Sequence, residues 1–179
     1  MPASTTKKTK TPARKAPVKK PKESYADAMI GKAVPAFDMP ATVIGKVSRA
    51  GLKGKLFALY FYPKDDTPGC TAEACGFRDD LSAFKKLGVT VIGVSKDSLQ
   101  RHEKFSKKYD LNFPLASDEN SDVCERFGVY VKKNMYGLRY MGIERSTFLV
   151  DAQGIVRAVW RKVSVTGHVE EVRKAIKDL

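Results

Sequence analysis

The chain has 179 residues, 42% hydrophobic and 30% charged, which is typical of a soluble globular protein with one core. No apolar run approaches the roughly 20 residues that a membrane-spanning helix needs, which excludes an integral membrane protein of that kind. Three cysteines are too few for a secreted disulfide scaffold, so a reducing compartment is favoured and the cytoplasm is the expected location.

The formal net charge of +13 comes mostly from the first 22 residues. They contain eight of the 33 Lys and Arg residues and no acid, which leaves 25 basic and 20 acidic groups for residues 23–179. With Val18 as its only large aliphatic residue beyond Met1, this segment cannot bury enough apolar surface to offset the entropy lost on ordering. We predict a disordered tail over residues 1–24 and one domain over residues 25–179.

Three roles remain open for this tail: a solubilising segment without a partner, a weak nucleic-acid tether, and an organellar transit peptide. Clustered lysines bind phosphate backbones by counterion release, which would also allow association with the nucleoid. The absence of acids suits a transit peptide, but lysine outnumbers arginine and no apolar helix face is visible. A secretory signal is not expected, because no apolar segment follows the first charges.

Two short apolar runs, residues 56–62 and residues 89–94, predict strands that are buried on both faces. Between them, apolar side chains recur at three- and four-residue spacing over residues 70–87, and Gly88 ends the predicted helix. A strand, a helix and a second strand in this order predict parallel pairing with a right-handed crossover.

The remainder of the domain continues with short elements. The predicted elements are helices over residues 100–109, 121–127 and 168–179, and strands over residues 148–150 and 156–160. Asp151-Ala152-Gln153-Gly154 is a turn signal that joins the last two strands as a hairpin. His102 and His168 are expected to be helix-surface or cap residues. The pattern as a whole indicates a layered α/β domain.

The segment from Pro63 to Cys75 contains the strongest chemical signal. A buried strand ends at Pro63, a polar loop follows, and a helix begins near Cys70. Ligand sites in open α/β sheets gather beyond the carboxyl ends of strands, and a helix N-terminus favours an anion. Cys70 is therefore expected to favour the reactive thiolate form. A buried packing thiol is the alternative, and a zinc site lacks the usual ligand spacing.

The motif Pro63-x3-Thr67-x2-Cys70 resembles the active-site motif of the peroxiredoxins. With Cys75 five residues later, the chain is similar to the bacterioferritin comigratory protein, or peroxiredoxin Q, subfamily. The likeness continues through Gly76-Phe77-Arg78-Asp79, through the segment Gly93-Val94-Ser95-Lys96-Asp97-Ser98, and through Arg145-Ser146-Thr147-Phe148-Leu149-Val150-Asp151. It covers essentially all of residues 27–179 and implies a thioredoxin-like fold with a central mixed β-sheet flanked by helices.

The resemblance also implies a role for each residue of the motif. Cys70 would attack a hydroperoxide and become a sulfenic acid. Thr67 would hydrogen-bond the thiolate and the peroxide, Arg145 would stabilise charge at the sulfur and the departing oxygen, and Pro63 would shape and dry the pocket. Cys75 would resolve the sulfenic acid as an intramolecular disulfide.

These roles imply reaction partners and one conformational step. The substrates would be hydrogen peroxide and organic hydroperoxides, the reductant thioredoxin or a glutaredoxin-like protein, and no cofactor or metal is required. A monomer is expected. Five helical residues separate two Cα atoms by about 8–9 Å, whereas a disulfide tolerates at most about 7 Å. The first turns of the predicted helix must therefore unwind in each cycle.

The sequence also allows two other functions. A disulfide oxidoreductase would use the same helix start, but that chemistry usually needs Cys-x2-Cys. A nucleic-acid-binding protein would depend on the basic tail. Cys124 is expected to be a buried packing thiol, with an alternate resolving role as the minor interpretation.

Overall fold

The computed structural model describes residues 27–179, so the predicted tail over residues 1–24 lies outside the described part. A seven-stranded mixed sheet with the order β2-β1-β5-β4-β3-β8-β9 forms the centre of the domain, and β6 and β7 form a separate two-stranded sheet. The strands are β1 (Asp38–Ala41), β2 (Gly45–Ser48), β3 (Leu56–Phe61), β4 (Val89–Ser95), β5 (Leu115–Ser117), β6 (Tyr130–Met135), β7 (Leu138–Ile143), β8 (Ser146–Val150) and β9 (Val156–Trp160). The helices are α1 (Pro68–Lys86), α2 (Leu99–Tyr109), α3 (Val123–Arg126) and α4 (His168–Lys177).

The predicted strand–helix–strand unit is confirmed. β3 pairs in parallel with β4, beginning with Leu56 opposite Val89, and α1 connects them. Both strands are buried along almost their whole length, as their continuous apolar sequence predicted. β8 and β9 form the predicted antiparallel hairpin, and β8 extends the sheet on the other side of β3.

The sheet separates two hydrophobic clusters. Alternate residues of β3, beginning with Phe57, point into one cluster, which also contains α3 residues such as Cys124. The intervening residues, among them Tyr60, point into the second cluster together with Cys70 and apolar side chains of α1, α2 and α4. Helices therefore cover both faces of the mixed sheet, and the longest one places Cys70 against β3.

The expectation that His102 and His168 are helix-surface or cap residues is wrong, because both are buried and the N-caps of α2 and α4 are Ser98 and Gly167. His102 is fully buried, with its Nδ1 2.7 Å from Asp65 Oδ2 and its Nε2 3.1 Å from the Ala116 carbonyl oxygen. His168 begins α4 but is also buried, with Nε2 2.7 Å from Thr147 Oγ1. Each ring is accommodated because it has a polar partner on a neighbouring element, which local sequence does not reveal.

Two structural features of residues 27–179 bear on function. None of the helices there is both long and apolar enough to cross a membrane. Within the same range, no group of three or more His, Cys, Asp or Glu side chains is arranged so that it could hold a metal ion.

Candidate active site

The loop that leaves β3 is held in place at Asp65. This buried carboxylate accepts a 2.6 Å hydrogen bond from the Tyr62 hydroxyl and lies 2.7 Å from His102 Nδ1. The Asp65 backbone N–H donates to Asp97 Oδ2 at 2.8 Å, which ties the loop to the segment after β4. These hydrogen bonds fix the middle of the loop that connects β3 to α1.

Cys70 is the third residue of α1. Thr67 is the N-cap with extended backbone, and Pro68 opens the first turn without losing a needed N–H. The first intrahelical bond runs from the Thr71 N–H to the Thr67 carbonyl at 2.8 Å. The N–H groups of Gly69 and Cys70 therefore precede the helical ladder, where free donors and the helix dipole favour an anion.

Arg145 lies between β7 and β8, and its guanidinium contacts the Cys70 sulfur. Its Nη2 donates to Cys70 Sγ at 3.4 Å, and its Nη1 donates to Glu73 Oε2 at 2.5 Å. Gly69 makes room for the guanidinium, since a Cβ at that position would lie 3.1 Å from Arg145 Nη2. The structure thus brings together Cys70 and Arg145, which are 75 residues apart. Cys70 itself is only 2% exposed.

Glu73 is a site residue that the sequence analysis missed. It lies one turn after Cys70, fully buried, and its Oε1 has no hydrogen-bond partner among residues 27–179. Burial raises the pKa of Glu73 to about 7, although the charge and hydrogen bond of Arg145 oppose that shift. The three-residue spacing from Cys70 was the available signal, because it places both side chains on one helix face.

The structure places the other predicted site residues around this centre. The Thr67 hydroxyl donates to the Lys64 carbonyl oxygen at 2.9 Å, so its single proton is directed to the loop. Pro63 is exposed at the end of β3. Cys75 is a free, half-buried thiol on the same unbroken helix as Cys70. The roles of Thr67 and Pro63 toward a peroxide stay predictions.

Cys124 is a buried free thiol on the opposite face of the sheet from Cys70. Burial, followed by the charge of Asp118, raises the pKa of Cys124 well above its usual range. Its surroundings therefore disfavour the thiolate, and the sheet separates it from Cys70. Both observations agree with the packing interpretation.

Comparisons with known proteins agree on one family. The model of the AhpC/TSA family matches residues 30–159. A protein named putative peroxiredoxin bcp from Coxiella burnetii is 54% identical over 143 residues, covering 80% of this chain and 95% of that protein. Peroxiredoxin Bcp of Bacillus subtilis is 45% identical over 150 residues, covering 84% and 96%.

The solved structures show the same relationship. One is the bacterioferritin comigratory protein of Xanthomonas campestris, described in connection with its alkyl peroxide reduction activity. It superposes with a TM-score of 0.75 at 42% identity, covering 79% of this chain and 90% of that one. This likeness confirms the thioredoxin-like fold predicted from the sequence.

Proposed function

We propose that Cys70 is the residue that attacks the hydroperoxide in this protein. The chain belongs to the AhpC/TSA family, and within it to the peroxiredoxins of the Bcp type, so it is a thiol-dependent peroxidase. The observation that supports this most is the Arg145 guanidinium bonded to a cysteine sulfur at the start of a helix. A positive charge and oriented N–H groups both favour the thiolate, which is the nucleophilic form.

In the first step, the Cys70 thiolate attacks one oxygen of the hydroperoxide and the O–O bond breaks. Sulfur is oxidised by two electrons to a sulfenic acid, and the departing oxygen takes a proton to leave as water or an alcohol. Arg145 lies where it can stabilise the negative charge that moves from sulfur to the departing oxygen.

In the second step, Cys75 condenses with the sulfenic acid to form a disulfide and release water. The helix from Pro68 to Lys86 is continuous while both cysteines are free, and five helical residues separate the Cα atoms by about 8–9 Å. Since a disulfide tolerates at most about 7 Å, the N-terminal turns of α1 must unwind before the bond forms.

Two anchors define the segment that unwinds. On one side the loop is fixed at Asp65 by the hydrogen bonds to Tyr62 and His102. On the other side Phe77 is fully buried, and its ring stacks on Tyr60 with centroids 4.6 Å apart. Between these anchors, Cys75 is half-buried and Gly76 follows it, so residues 66–76 can rearrange by withdrawing Cys70 and Glu73 from their buried positions while Phe77 stays packed.

The disulfide then requires a dithiol reductant, for which thioredoxin or a glutaredoxin-like protein is the proposed class. Hydrogen peroxide and organic hydroperoxides are the proposed substrates, and a monomer in the cytoplasm is the proposed state. A contact between the basic tail and nucleic acid would be a separate property of residues 1–24. A Cys-x4-Cys pair inside one helix argues against a general disulfide oxidoreductase.

Stopped-flow peroxide consumption with thioredoxin recycling tests this proposal. Cys70→Ser should abolish even the first turnover, whereas Cys75→Ser should keep the first turnover and lose recycling. Cys124→Ala is the matched control and should retain both, because that thiol lies on the other face of the sheet. First-turnover peroxide consumption by the Cys70→Ser protein would refute the assignment of Cys70.

A further inference from the structure

Arg145 is shared by two acidic groups. One guanidinium nitrogen bonds Cys70 Sγ and the other bonds Glu73 Oε2, and both acidic side chains are almost completely buried. If thiolate and carboxylate were both ionised, one half-buried cation would face two buried anions. Burying an uncompensated charge is costly, so an ionised Cys70 favours a protonated Glu73.

The surroundings of Glu73 give its carboxylate little further support. Its Oε1 lacks a hydrogen-bond partner among the described residues, and burial raises the pKa to about 7. Arg145 is thus the group that stabilises the carboxylate, and it is also the group that stabilises the thiolate. A change of charge on one acidic group therefore alters how strongly Arg145 binds the other.

Other titratable groups face this pair from the packed elements. Tyr60 on β3 interacts electrostatically with Glu73 and Cys70, but burial raises the pKa of its hydroxyl well above the usual range. Burial and the Arg145 charge lower the pKa of His168 on α4 to about 4, so it is neutral at pH 7. Lys133 on β6 interacts with Arg145 and Cys70, and burial lowers its pKa. Neither Tyr60 nor His168 is therefore suited to supply a proton near neutral pH.

We propose that Glu73 stores the proton that hydroperoxide reduction consumes and releases it as Cys70 is oxidised. The inference rests on the proposed role of Cys70. Thiolate attack on ROOH forms the S–O bond and breaks the O–O bond, and the leaving RO⁻ needs one proton. Glu73 loses that proton, so the products are ROH, the Cys70 sulfenic acid and the Glu73 carboxylate. The neutral sulfenic acid no longer competes for Arg145, which then pairs with the carboxylate alone.

Proton uptake during a single turnover tests this inference. A Cys75→Ser parent protein stops at the sulfenic acid, and a pH indicator in weak buffer reports protons taken from solution after substoichiometric peroxide. At about pH 6 the parent should take up almost none, whereas the Glu73→Gln derivative should take up about one per turnover. Glutamine can still accept the Arg145 hydrogen bond, but it has no proton to release. A Glu103→Gln derivative, which makes the same change at an exposed carboxylate on α2, is the matched control and should behave like the parent.

Infrared difference spectroscopy of the folded parent gives a second readout. Oxidation should remove the band of a protonated carboxyl group, and Glu73→Gln should abolish that change. Equal proton uptake in parent and Glu73→Gln, or an unchanged carboxyl band in the parent, overturns the inference. Failure of Cys70 to react with peroxide would instead overturn the proposed function, so the two failures are distinguishable.

Discussion

Gly69→Ala perturbs the contact between Arg145 and the reactive sulfur without removing either group. The added Cβ would lie 3.1 Å from Arg145 Nη2, which is tighter than a normal contact, so the guanidinium must move by a few tenths of an ångström. Nη2 already lies 3.4 Å from Cys70 Sγ. With an effective dielectric constant of about 20, moving to about 3.9 Å weakens the charge–charge attraction by about 0.6 kcal/mol.

Part of a charge-assisted hydrogen bond is lost as well, so the total effect is about 1 kcal/mol, or roughly fivefold in the first-turnover rate. Alanine has the higher helix propensity, by up to about 1 kcal/mol in a helix interior, so stability should stay the same or rise slightly. Reactivity and stability are thus expected to change in opposite directions.

Stopped-flow rates and urea unfolding would measure the two effects. Gly76→Ala is the matched control, because Gly76 is on the same helix as Gly69 but its Cβ would lie 3.1 Å from Val169 Cγ2 of α4, away from Arg145. It should change the first-turnover rate far less than Gly69→Ala. Equal rates for Gly69→Ala and the wild type would refute the claim that the position of Arg145 controls the sulfur.

Two further predictions concern the conformation and the stability of the protein. In the disulfide form, amides of residues 68–76 should lose protection from hydrogen exchange while α1 beyond Phe77 keeps it; unchanged protection over residues 68–76 would contradict the unwinding step. Burial lowers the pKa of His168 from 6.5 to about 4. Between these pH values the unfolded chain binds a proton at His168 that the folded protein does not, so the stability present above pH 6.5 is lost as the pH falls toward 4. The loss should reach at most about 3 kcal/mol in urea titrations, and a pH slope equally steep in His168→Asn would contradict this origin.

The central elements of the fold were predictable because their sequence patterns are determined by burial. β3 is a continuous apolar run because both of its faces are covered, and α1 has a regular apolar stripe because one face packs on the sheet. The hairpin of β6 and β7 was not predicted, because most of its side chains are exposed and show no alternation. Its turn residues, Tyr136 and Gly137, both have positive φ without the usual Asn or Asp signal.

The active site was only partly predictable for a similar reason. The position of Cys70 at a helix start follows from local sequence. Its contact with Arg145 joins residues 75 apart, so local sequence could not predict it and only the family resemblance did. Glu73 could have been found from its spacing. The buried pair of Asp65 and His102 could not, since it joins residues 37 apart on different elements.

We propose that Arg145 and the start of α1 hold the Cys70 sulfur as a thiolate, and the proposed function depends on this. The most direct test is the ultraviolet absorbance of the thiolate, taken as the difference between the wild type and Cys70→Ser across a pH titration. The thiolate signal should already be present at pH 7 and should move to higher pH in Arg145→Met. A signal that appears only near pH 8.5 in the wild type, as in free cysteine, would contradict the claim.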